Sequence, residues 1–398
     1  MILGLIRRDF AITQLFIVFS PLSQTTRAMS TASTTNANAT ATTATSTTSK
    51  AHTALAEVDQ IGAFKRTASS FRRSITADGS GPDGLKAEAG RYHLYGSAAC
   101  PWNHRTLIVR ALKGLEGVVG YTNSNPVWQR TSTTDNHRGW VFSDKVEHPF
   151  ADSPAEDNRH DDKCDSDPFN GAKSIRDLYL LSDPKYAGKF TVPVLWDTKT
   201  KTVVNNESSE ICRMLNSEFN AFAKYPEIDL YPAKLRDEIN SVNEWVYDKI
   251  NDGVYKAGFA QRQGAYTVAV NNLFEALERV EGILAKSRFL VGDRVTEADV
   301  RLVTTLFRFD PVYTIYFKCS KKQLREFPNL YNYCRDMYQL HGVGATVNET
   351  HIKNHYYCSH PTLNPYRIVP ETFPQDWNLP HNRALLSAKG PLRASSDE

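Results

Sequence analysis

Residues 92–115 read YHLYGSAACPWNHRTLIVRALKGL, and this stretch decides the fold. Residues 92–95 alternate in the way a short β-strand does. The apolar residues between 107 and 115 recur at helical spacing, and Pro101 stands where the helix would begin, a position that tolerates proline well. The pattern predicts a strand, a tight loop and a helix, with Cys100 at the helix N-terminus.

That position gives Cys100 a chemical meaning. The partial positive charge and free N–H groups of a first helical turn stabilise a thiolate, which predicts a lowered pKa for Cys100. A redox dithiol would carry a second cysteine three residues further on, where this chain has Asn103. We therefore expect a nucleophilic monothiol, whose mixed disulfide is resolved by an external thiol.

A second strand-and-helix pattern lies about ninety residues downstream. Residues 190–197 read FTVPVLWD, a strand interrupted by Pro193. Proline removes a donor from the strand ladder, so it indicates either an edge strand or a cis peptide bond at a turn. Residues 202–204 predict another short strand, and the apolar spacing that follows predicts a helix over 211–219.

The residues that lead into this helix can hold a ligand. Glu207 and Ser208 fall in its first turn, where free N–H groups and a hydroxyl can hold an anion. The alternative is a structural cap, with Ser208 or Asn206 as the N-cap residue.

Composition is ordinary for a globular protein. The chain has 398 residues, of which 41% are hydrophobic and 23% charged, and its length suggests two or three domains. The formal net charge of +3 is too small to indicate a nucleic-acid partner. No run of about 18 apolar residues occurs, so no membrane span is expected.

The basic charge is concentrated at the front of the chain. Residues 1–76 contain eight basic and three acidic residues, a net charge of +5, which leaves −2 for residues 77–398. Residues 29–56 are almost entirely Ser, Thr, Ala and Asn, a composition that cannot offset its ordering entropy. Residues 1–28 fit an organellar transit peptide; an unstructured tail, a start at Met29 and a secretory segment stay open. We expect a mitochondrial or cytoplasmic location.

Six irregularly spaced cysteines with no C-x-x-C pair do not indicate a disulfide framework or a zinc ribbon. His351 and His355 are spaced i, i+4, but we expect no acidic third ligand at this pair. No metal site is expected.

The order of these elements resembles the thioredoxin-like domain of glutathione transferases. Cys100-Pro101-Trp102 is similar to the omega-like branch, whose members use cysteine. Thr296-Glu297-Ala298-Asp299 resembles the helix-capping box of the all-helical domain in the same proteins. The resemblance implies an α/β thioredoxin-like N-terminal domain followed by an all-α C-terminal domain, the glutathione transferase fold.

The closest resemblance is to the xi class, the glutathionyl-hydroquinone reductases, over about residues 60–370. The segments that carry it are Gly139-Trp140, GKFTVPVLWD at 188–197, NESSEI at 206–211, NDGVYK at 251–256, RFDPVY at 308–313 and HIKNHYY at 351–357. Lys189 stands where the family often has arginine, which predicts a weaker carboxylate contact.

The resemblance implies a two-step thiol exchange. Cys100 would take glutathione from a glutathionyl-hydroquinone, and a second glutathione, the co-substrate, would resolve the mixed disulfide. Tyr255 and Tyr356 match the family's catalytic tyrosines. The other implied contacts are to glutathione, from Trp140, Lys189, Val192, Glu207 and Ser208, and to substrate, from the further candidates Tyr313 and Tyr357.

The predicted organisation has four parts. Residues 1–76 form a targeting or disordered leader, residues 77–220 the glutathione-binding domain, and residues 221–345 the helical domain, with helices near 233–250, 265–286, 296–309 and 324–340. Residues 346–398 form an extension that packs over the active site, because Tyr356 must reach it. By resemblance we also expect a homodimer.

Two other functions stay open at this point. One is a general omega-like glutathione thiol transferase or dehydroascorbate reductase, which the 351–357 motif disfavours. The other is a non-enzymatic glutathione-transferase-like binding module, which the presence of Cys100 disfavours.

Overall fold

A computed structural model describes residues 57–59, 62–143, 164–387 and 390–392. The predicted transit peptide and the polar stretch up to residue 56 lie outside the described residues, as does part of the insertion after Trp140. The strands are β1 (Ile75–Thr76), β2 (Leu85–Lys86), β3 (Tyr92–Gly96), β4 (Gly120–Asn123), β5 (Gln129–Arg130), β6 (Arg138–Gly139), β7 (Val194–Asp197) and β8 (Thr202–Asn205). The helices are α1 (Pro101–Leu112), α2 (Ile175–Ser182), α3 (Ser208–Ser217), α4 (Arg236–Val246), α5 (Gly253–Gly258), α6 (Gln263–Leu284), α7 (Glu297–Leu306), α8 (Pro328–Gln339) and α9 (Glu349–Ser359).

A four-stranded mixed sheet organises the first half of the fold. Its strand order is β4-β3-β7-β8, with β3 parallel to β4 and antiparallel to β7, and β7 antiparallel to β8. Helix α1 joins the parallel pair, because parallel neighbours need a crossover connection. The order β3-α1-β4-α2-β7-β8-α3 confirms the predicted thioredoxin-like α/β domain.

The central strand β3 is buried on both faces. Tyr92 and Leu94 belong to the larger core, which includes residues of α1 and α3, whereas Tyr95 packs with Tyr179 of α2 and Trp196 of β7. Alternate side chains of β3 therefore point into two different buried layers, and neither face of the strand meets solvent. This is expected for a sheet with helices on both sides.

The second half is helical, and two π-helical turns shape it. One turn, Tyr247–Asn251, continues α4, and the other, Phe309–Tyr313, follows α7. Helix α7 begins at the predicted capping box, because Thr296 and Asp299 bond each other's backbone and side chain. It ends at Leu306, three residues earlier than predicted, ahead of a turn that contains Pro311.

The C-terminal segment returns to the first half of the molecule. Helix α9 brings Tyr356 to the core, where the side chain is 1% exposed. Further along, Trp377 packs on Phe307 and Tyr331, and the buried Arg383 donates to the carbonyls of Leu284, Ser287 and Arg288. The tail is thus fixed to the end of α6.

The segment before β1 also belongs to the described fold. The backbone of Arg73 donates to the Val204 carbonyl at 3.1 Å, and Arg72 forms an isolated bridge with Asn205, so the segment follows strand β8. Residues 62–76 therefore pack on the fold, although the sequence grouped them with the leader.

Candidate active site

Cys100 lies at the floor of a cleft of about 450 Å³ between the sheet and the helices. It is the N-cap residue of α1, with Pro101 in the first turn, as the sequence predicts. The residue is 9% exposed, and its Sγ donates to the Val192 carbonyl at 3.6 Å. The local turn also needs Gly96, since a Cβ there would lie 1.9 Å from Oδ1 of Asn103.

The pKa of Cys100 differs from the expectation. Burial raises it, because the charged thiolate loses solvent. The backbone N–H groups of Asn103 and Trp102 and the charges of Arg308 and Arg66 act in the opposite direction but do not outweigh burial. The prediction of a lowered pKa is therefore wrong, and the thiol donates to the Val192 carbonyl instead.

Arg308 fixes the loop that carries the thiol. Its guanidinium is fully buried and donates to the carbonyls of Ala98 and Ala99, each at 3.0 Å, and to the Thr304 carbonyl at 2.6 Å. It also contacts Nδ1 of His104 at 3.0 Å. One side chain from the helical half therefore holds the backbone just before Cys100 and also contacts the His104 side chain of α1.

A chain of phenol groups faces the thiol across the cleft. The hydroxyls of Tyr255 and Tyr356 are 2.5 Å apart, and Tyr313 reaches the Tyr356 hydroxyl at 2.9 Å. Burial raises the pKa of each of these three tyrosines, so all are protonated at neutral pH. Tyr255 and Tyr356 line the cleft directly.

The structure separates the two further tyrosine candidates. Tyr313 lies behind Tyr356 as the third member of the phenol chain. Tyr357 points the other way, since its hydroxyl donates to the Pro311 carbonyl at 3.0 Å. Adjacent residues on one helix face different directions, so Tyr357 is not brought to the cleft.

All five predicted glutathione-binding residues line the cleft. The peptide bond between Val192 and Pro193 is cis. Of the two possibilities that Pro193 raised, the cis bond is therefore the one observed, and the edge strand is not, because β7 lies inside the sheet. Helix α3 begins at Ser208, three residues before the predicted start, with Glu207 as its N-cap. The Glu207 carboxylate accepts from the Ser209 backbone N–H at 3.1 Å and from the Ser69 hydroxyl at 3.0 Å.

Ser208 has an unusual hydroxyl. The residue is 2% exposed, and its Oγ has no hydrogen-bond partner among the residues that the structure describes. A buried hydroxyl without a partner is costly, so the arrangement suits a ligand that supplies the missing bond.

Trp140 forms part of an aromatic wall at the side of the cleft. Its ring stacks on His355, with centroids 4.5 Å apart, and meets the edge of Trp128 at 5.7 Å. His360 contacts Trp128 at 4.8 Å and lines the cleft as well. The insertion and α9 therefore build this wall together.

Lys189 is already paired. It forms an ion pair with Glu57, whose Oε1 also accepts from the Thr67 backbone N–H at 2.7 Å. The Glu57 side chain is only 7% exposed, and both members of the pair line the cleft. A carboxylate of the chain itself thus occupies the lysine.

Sequence reasoning missed Arg66. Its guanidinium lies 4.0 Å from the Trp102 ring centroid and 5.0 Å from that of Tyr255, and its Nε pairs with Asp252 at 2.8 Å. The available signal was Phe64-Lys65-Arg66, a short apolar and basic group that ends the Ser- and Thr-rich segment. It was assigned to the leader because charge was counted over the whole segment.

Within the described parts of the chain, no group of three or more His, Cys, Asp and Glu side chains is placed to hold a metal ion. Among the described helices, none has the length and apolar character that crossing a membrane requires.

Comparison with known proteins places both halves of the chain. The model for the glutathione S-transferase N-terminal domain matches residues 99–218, and the model for the C-terminal domain matches residues 260–336. Glutathionyl-hydroquinone reductase YqjG of Escherichia coli is 46% identical over 326 residues, covering 81% of this chain and 92% of its own length. Glutathionyl-hydroquinone reductase PcpF of Sphingobium chlorophenolicum is 41% identical, covering 78% and 89%.

Solved structures of glutathione transferases are also similar to this chain. The glutathione-S-transferase Xi from Phanerochaete chrysosporium has 47% identity and a TM-score of 0.71, covering 82% of this chain and 97% of that one. The glutathione-bound structure of YqjG has 46% identity and a TM-score of 0.71, covering 79% and 96%.

Proposed function

Because the chain belongs to the xi class of glutathione transferases, together with the glutathionyl-hydroquinone reductases, we propose that it reduces glutathionyl-hydroquinones to hydroquinones with glutathione as the reductant. The observation that carries the proposal is the placement of one thiol, Cys100, and two facing phenols, Tyr255 and Tyr356, in a single cleft. A thiol transferase acting on disulfides needs the thiol, but it has no use for a paired proton donor.

In the first step the Cys100 thiolate attacks the sulfur that joins glutathione to the ring. The thiol must first lose its proton and its bond to the Val192 carbonyl. A bound glutathione would favour this loss, because its own peptide N–H can donate to Val192 in place of the thiol. The fixed charges of Arg66 and Arg308 also favour the thiolate.

The carbon–sulfur bond breaks as the ring carbon receives a proton. Tyr255 and Tyr356 are the proton donors in the cleft. Their raised pKa values keep both phenols protonated at neutral pH, so each can donate a proton in this step. The Tyr313 hydroxyl is hydrogen-bonded to that of Tyr356, so it can donate to the phenolate left behind. The products are the hydroquinone and a Cys100–glutathione mixed disulfide.

The glutathione half of the substrate would occupy the opposite end of the cleft. Ser208 and the first turn of α3 receive the γ-glutamyl carboxylate, which supplies the missing partner of the Ser208 hydroxyl. Glu207 takes the γ-glutamyl ammonium group, and Lys189 takes the glycyl carboxylate. Trp140 covers the middle of the tripeptide.

A second glutathione completes the cycle. Its thiolate attacks the mixed disulfide, Cys100 leaves as a thiolate, and glutathione disulfide forms. The proton of the incoming thiol restores the tyrosine pair. No second cysteine is needed, which is consistent with Asn103 at the fourth position of the motif.

The test compares the wild type with Cys100→Ser. The wild type should release hydroquinone from its glutathionyl conjugate, and chromatography measures this release. It should turn dehydroascorbate over much more slowly. The variant should lose hydroquinone release yet bind glutathione with the same affinity by calorimetry. Faster turnover of dehydroascorbate than of the conjugate, or full activity of the variant, contradicts the proposal.

Two broader features belong to the same proposal. We expect a homodimer, to be tested by sedimentation equilibrium of the full chain. We also expect a mitochondrial or cytoplasmic location, supported by the composition of residues 1–56. Mass spectrometry of the native N-terminus tests it, since a transit peptide would be removed.

A further inference from the structure

We infer that His355 contacts the substrate and accepts a hydrogen bond from a hydroxyl of the aromatic ring. This inference deepens the proposed function and rests on it. The resemblance assigns no role to His355, and its spacing from His351 suggested only a metal pair.

The hydrogen bonds of the imidazole determine which nitrogen carries the proton. Nδ1 lies 2.9 Å from the Pro126 carbonyl, which can only accept, so Nδ1 carries the hydrogen. The Ser359 hydroxyl contacts the same nitrogen at 3.2 Å. In the neutral ring Nε2 is therefore an acceptor, and within the described residues it has no hydrogen-bond partner.

The surroundings keep the ring neutral. Burial holds the pKa of His355 well below its usual range, and the neighbouring His360, Arg308 and His351 act in the same direction. Only the bond to the Pro126 carbonyl opposes them. The lone pair of Nε2 is consequently available throughout the physiological pH range.

The ring is held firmly at the wall of the cleft. It stacks on Trp140 with an interplanar angle of 27°, meets Trp128 at 5.4 Å, and lies 5.1 Å from the ring of Tyr356. A neutral acceptor thus stands beside the pair of phenol donors. An aromatic ligand that carries hydroxyl groups can satisfy both, whereas a plain arene leaves the acceptor unpaired.

This contact also has a chemical use in the proposed reaction. A hydroxyl that donates to Nε2 pushes electron density from its oxygen into the ring, towards the carbon that carries sulfur. That carbon takes the proton of the Tyr255–Tyr356 pair while Cys100 forms its bond to the conjugate sulfur. The electron pair of the broken carbon–sulfur bond stays with the ring, and the hydroxyl keeps its own proton at the end.

Two substitutions separate an acceptor from a packing residue. His355→Phe keeps an aromatic ring against Trp140 but has no acceptor, whereas His355→Gln loses the ring and keeps an acceptor oxygen. Each is combined with Cys100→Ser, so that binding is measured without turnover. The ligands are S-(2,5-dihydroxyphenyl)glutathione and its dimethyl ether, titrated by calorimetry.

We expect the Cys100→Ser protein to bind the dihydroxy ligand about tenfold more tightly than the ether, the size of one hydrogen bond to a buried group. His355→Phe should reduce this preference to less than about threefold, and His355→Gln should retain more of it. In the presence of Cys100, His355→Phe should slow hydroquinone release.

An unchanged preference in His355→Phe overturns the inference, as does a larger loss in His355→Gln than in His355→Phe, which indicates packing. His360→Phe is the matched control, because His360 lines the same cleft; loss of the preference in that variant also assigns the contact elsewhere. Failure of the wild type to release hydroquinone would instead overturn the proposed function.

Discussion

Cys100 shows how burial and local charge compete at a single residue. Its position at a helix N-terminus was readable from the sequence, because Pro101 and the apolar spacing mark the start of α1. The direction of its pKa shift could not be read from the sequence, because desolvation depends on which distant residues surround the thiol. Tyr255 and Tyr356, which line the same cleft, come from the second half of the chain.

The raised pKa of Cys100 predicts a specific pH dependence. Only the thiolate reacts with iodoacetamide, so in the unliganded protein the alkylation rate should still rise beyond pH 8.5, near the ordinary cysteine pKa of about 8.5. Stopped alkylation samples analysed by mass spectrometry at Cys100 measure this rate. A rate that is flat above pH 7 would show that local charge outweighs burial.

The phenol pair leads to a second prediction. Replacing Tyr255 and Tyr356 together with Phe removes the proton donors, and kcat for hydroquinone release should fall by about a hundredfold or more, as for loss of a general acid. Alkylation of Cys100 should continue, because the thiol itself is intact. Tyr357→Phe is the matched control and should leave kcat unchanged, since its hydroxyl donates to Pro311.

At the scale of elements, boundaries were predicted less well than element type. Helix α3 was placed three residues late, because its N-cap, Glu207, is not among the residues favoured there. The π-helical turns at 247–251 and 309–313 have no periodic signature of their own, and the helix predicted at 233–250 includes most of the first turn together with α4. Both turns precede or contain residues of the phenol chain.

Arg308 lies two residues beyond the end of α7. Its contacts lead us to expect that one substitution changes both the stability of the fold and the reactivity of Cys100. Arg308→Leu would leave three carbonyls and His104 without their donor, a loss of about 3 kcal/mol in the free energy of unfolding. It should also shift the alkylation profile of Cys100 to higher pH. Arg308→Lys loses most of these hydrogen bonds but keeps the positive charge, so it should be destabilised while the alkylation profile shifts less. Equal pH shifts in the two variants would contradict an electrostatic effect of Arg308 on Cys100.

The segment before β1 provides another prediction at this scale. In the proposed function a ligand carboxylate must replace Glu57 on Lys189, so Glu57→Gln should lower KM for glutathione by about threefold or more, with kcat little changed. Steady-state kinetics over a range of glutathione concentrations test this. Glu88→Gln removes ion pairs far from the cleft and serves as control; a raised KM in Glu57→Gln would mean that Glu57 assists binding.

At the scale of the whole molecule, the two-part fold could be predicted because each part carries local signals. The strand–loop–helix at 92–115 and the capping box at 296–299 both occur where expected. The joining of the parts could not be predicted. It depends on contacts between residues far apart in the sequence, such as Arg66 with Asp252 and Arg308 with Ala98.

The tail after α9, which Arg383 fixes to the end of α6 and which we call the C-terminal strap, gives a prediction for the whole molecule. Arg383→Gln should lower the free energy of unfolding by about 2 kcal/mol, because the buried carbonyls of Leu284, Ser287 and Arg288 lose their charged donor. Chemical denaturation measures this loss. Cys100 alkylation and hydroquinone release should not change under native conditions, in contrast to Arg308→Leu, and a parallel loss of activity would show that the strap orders the cleft.

The position of Tyr356 on α9, late in the chain, has a consequence for synthesis on the ribosome. More than half of the chain separates Cys100 from Tyr356, so at roughly 5–20 residues per second the thiol emerges on the order of tens of seconds before the helix that completes its cleft. During that interval the nascent chain carries an open cysteine with an ordinary pKa, accessible to oxidants and electrophiles. The cleft around the nucleophile is therefore complete only once translation has nearly finished.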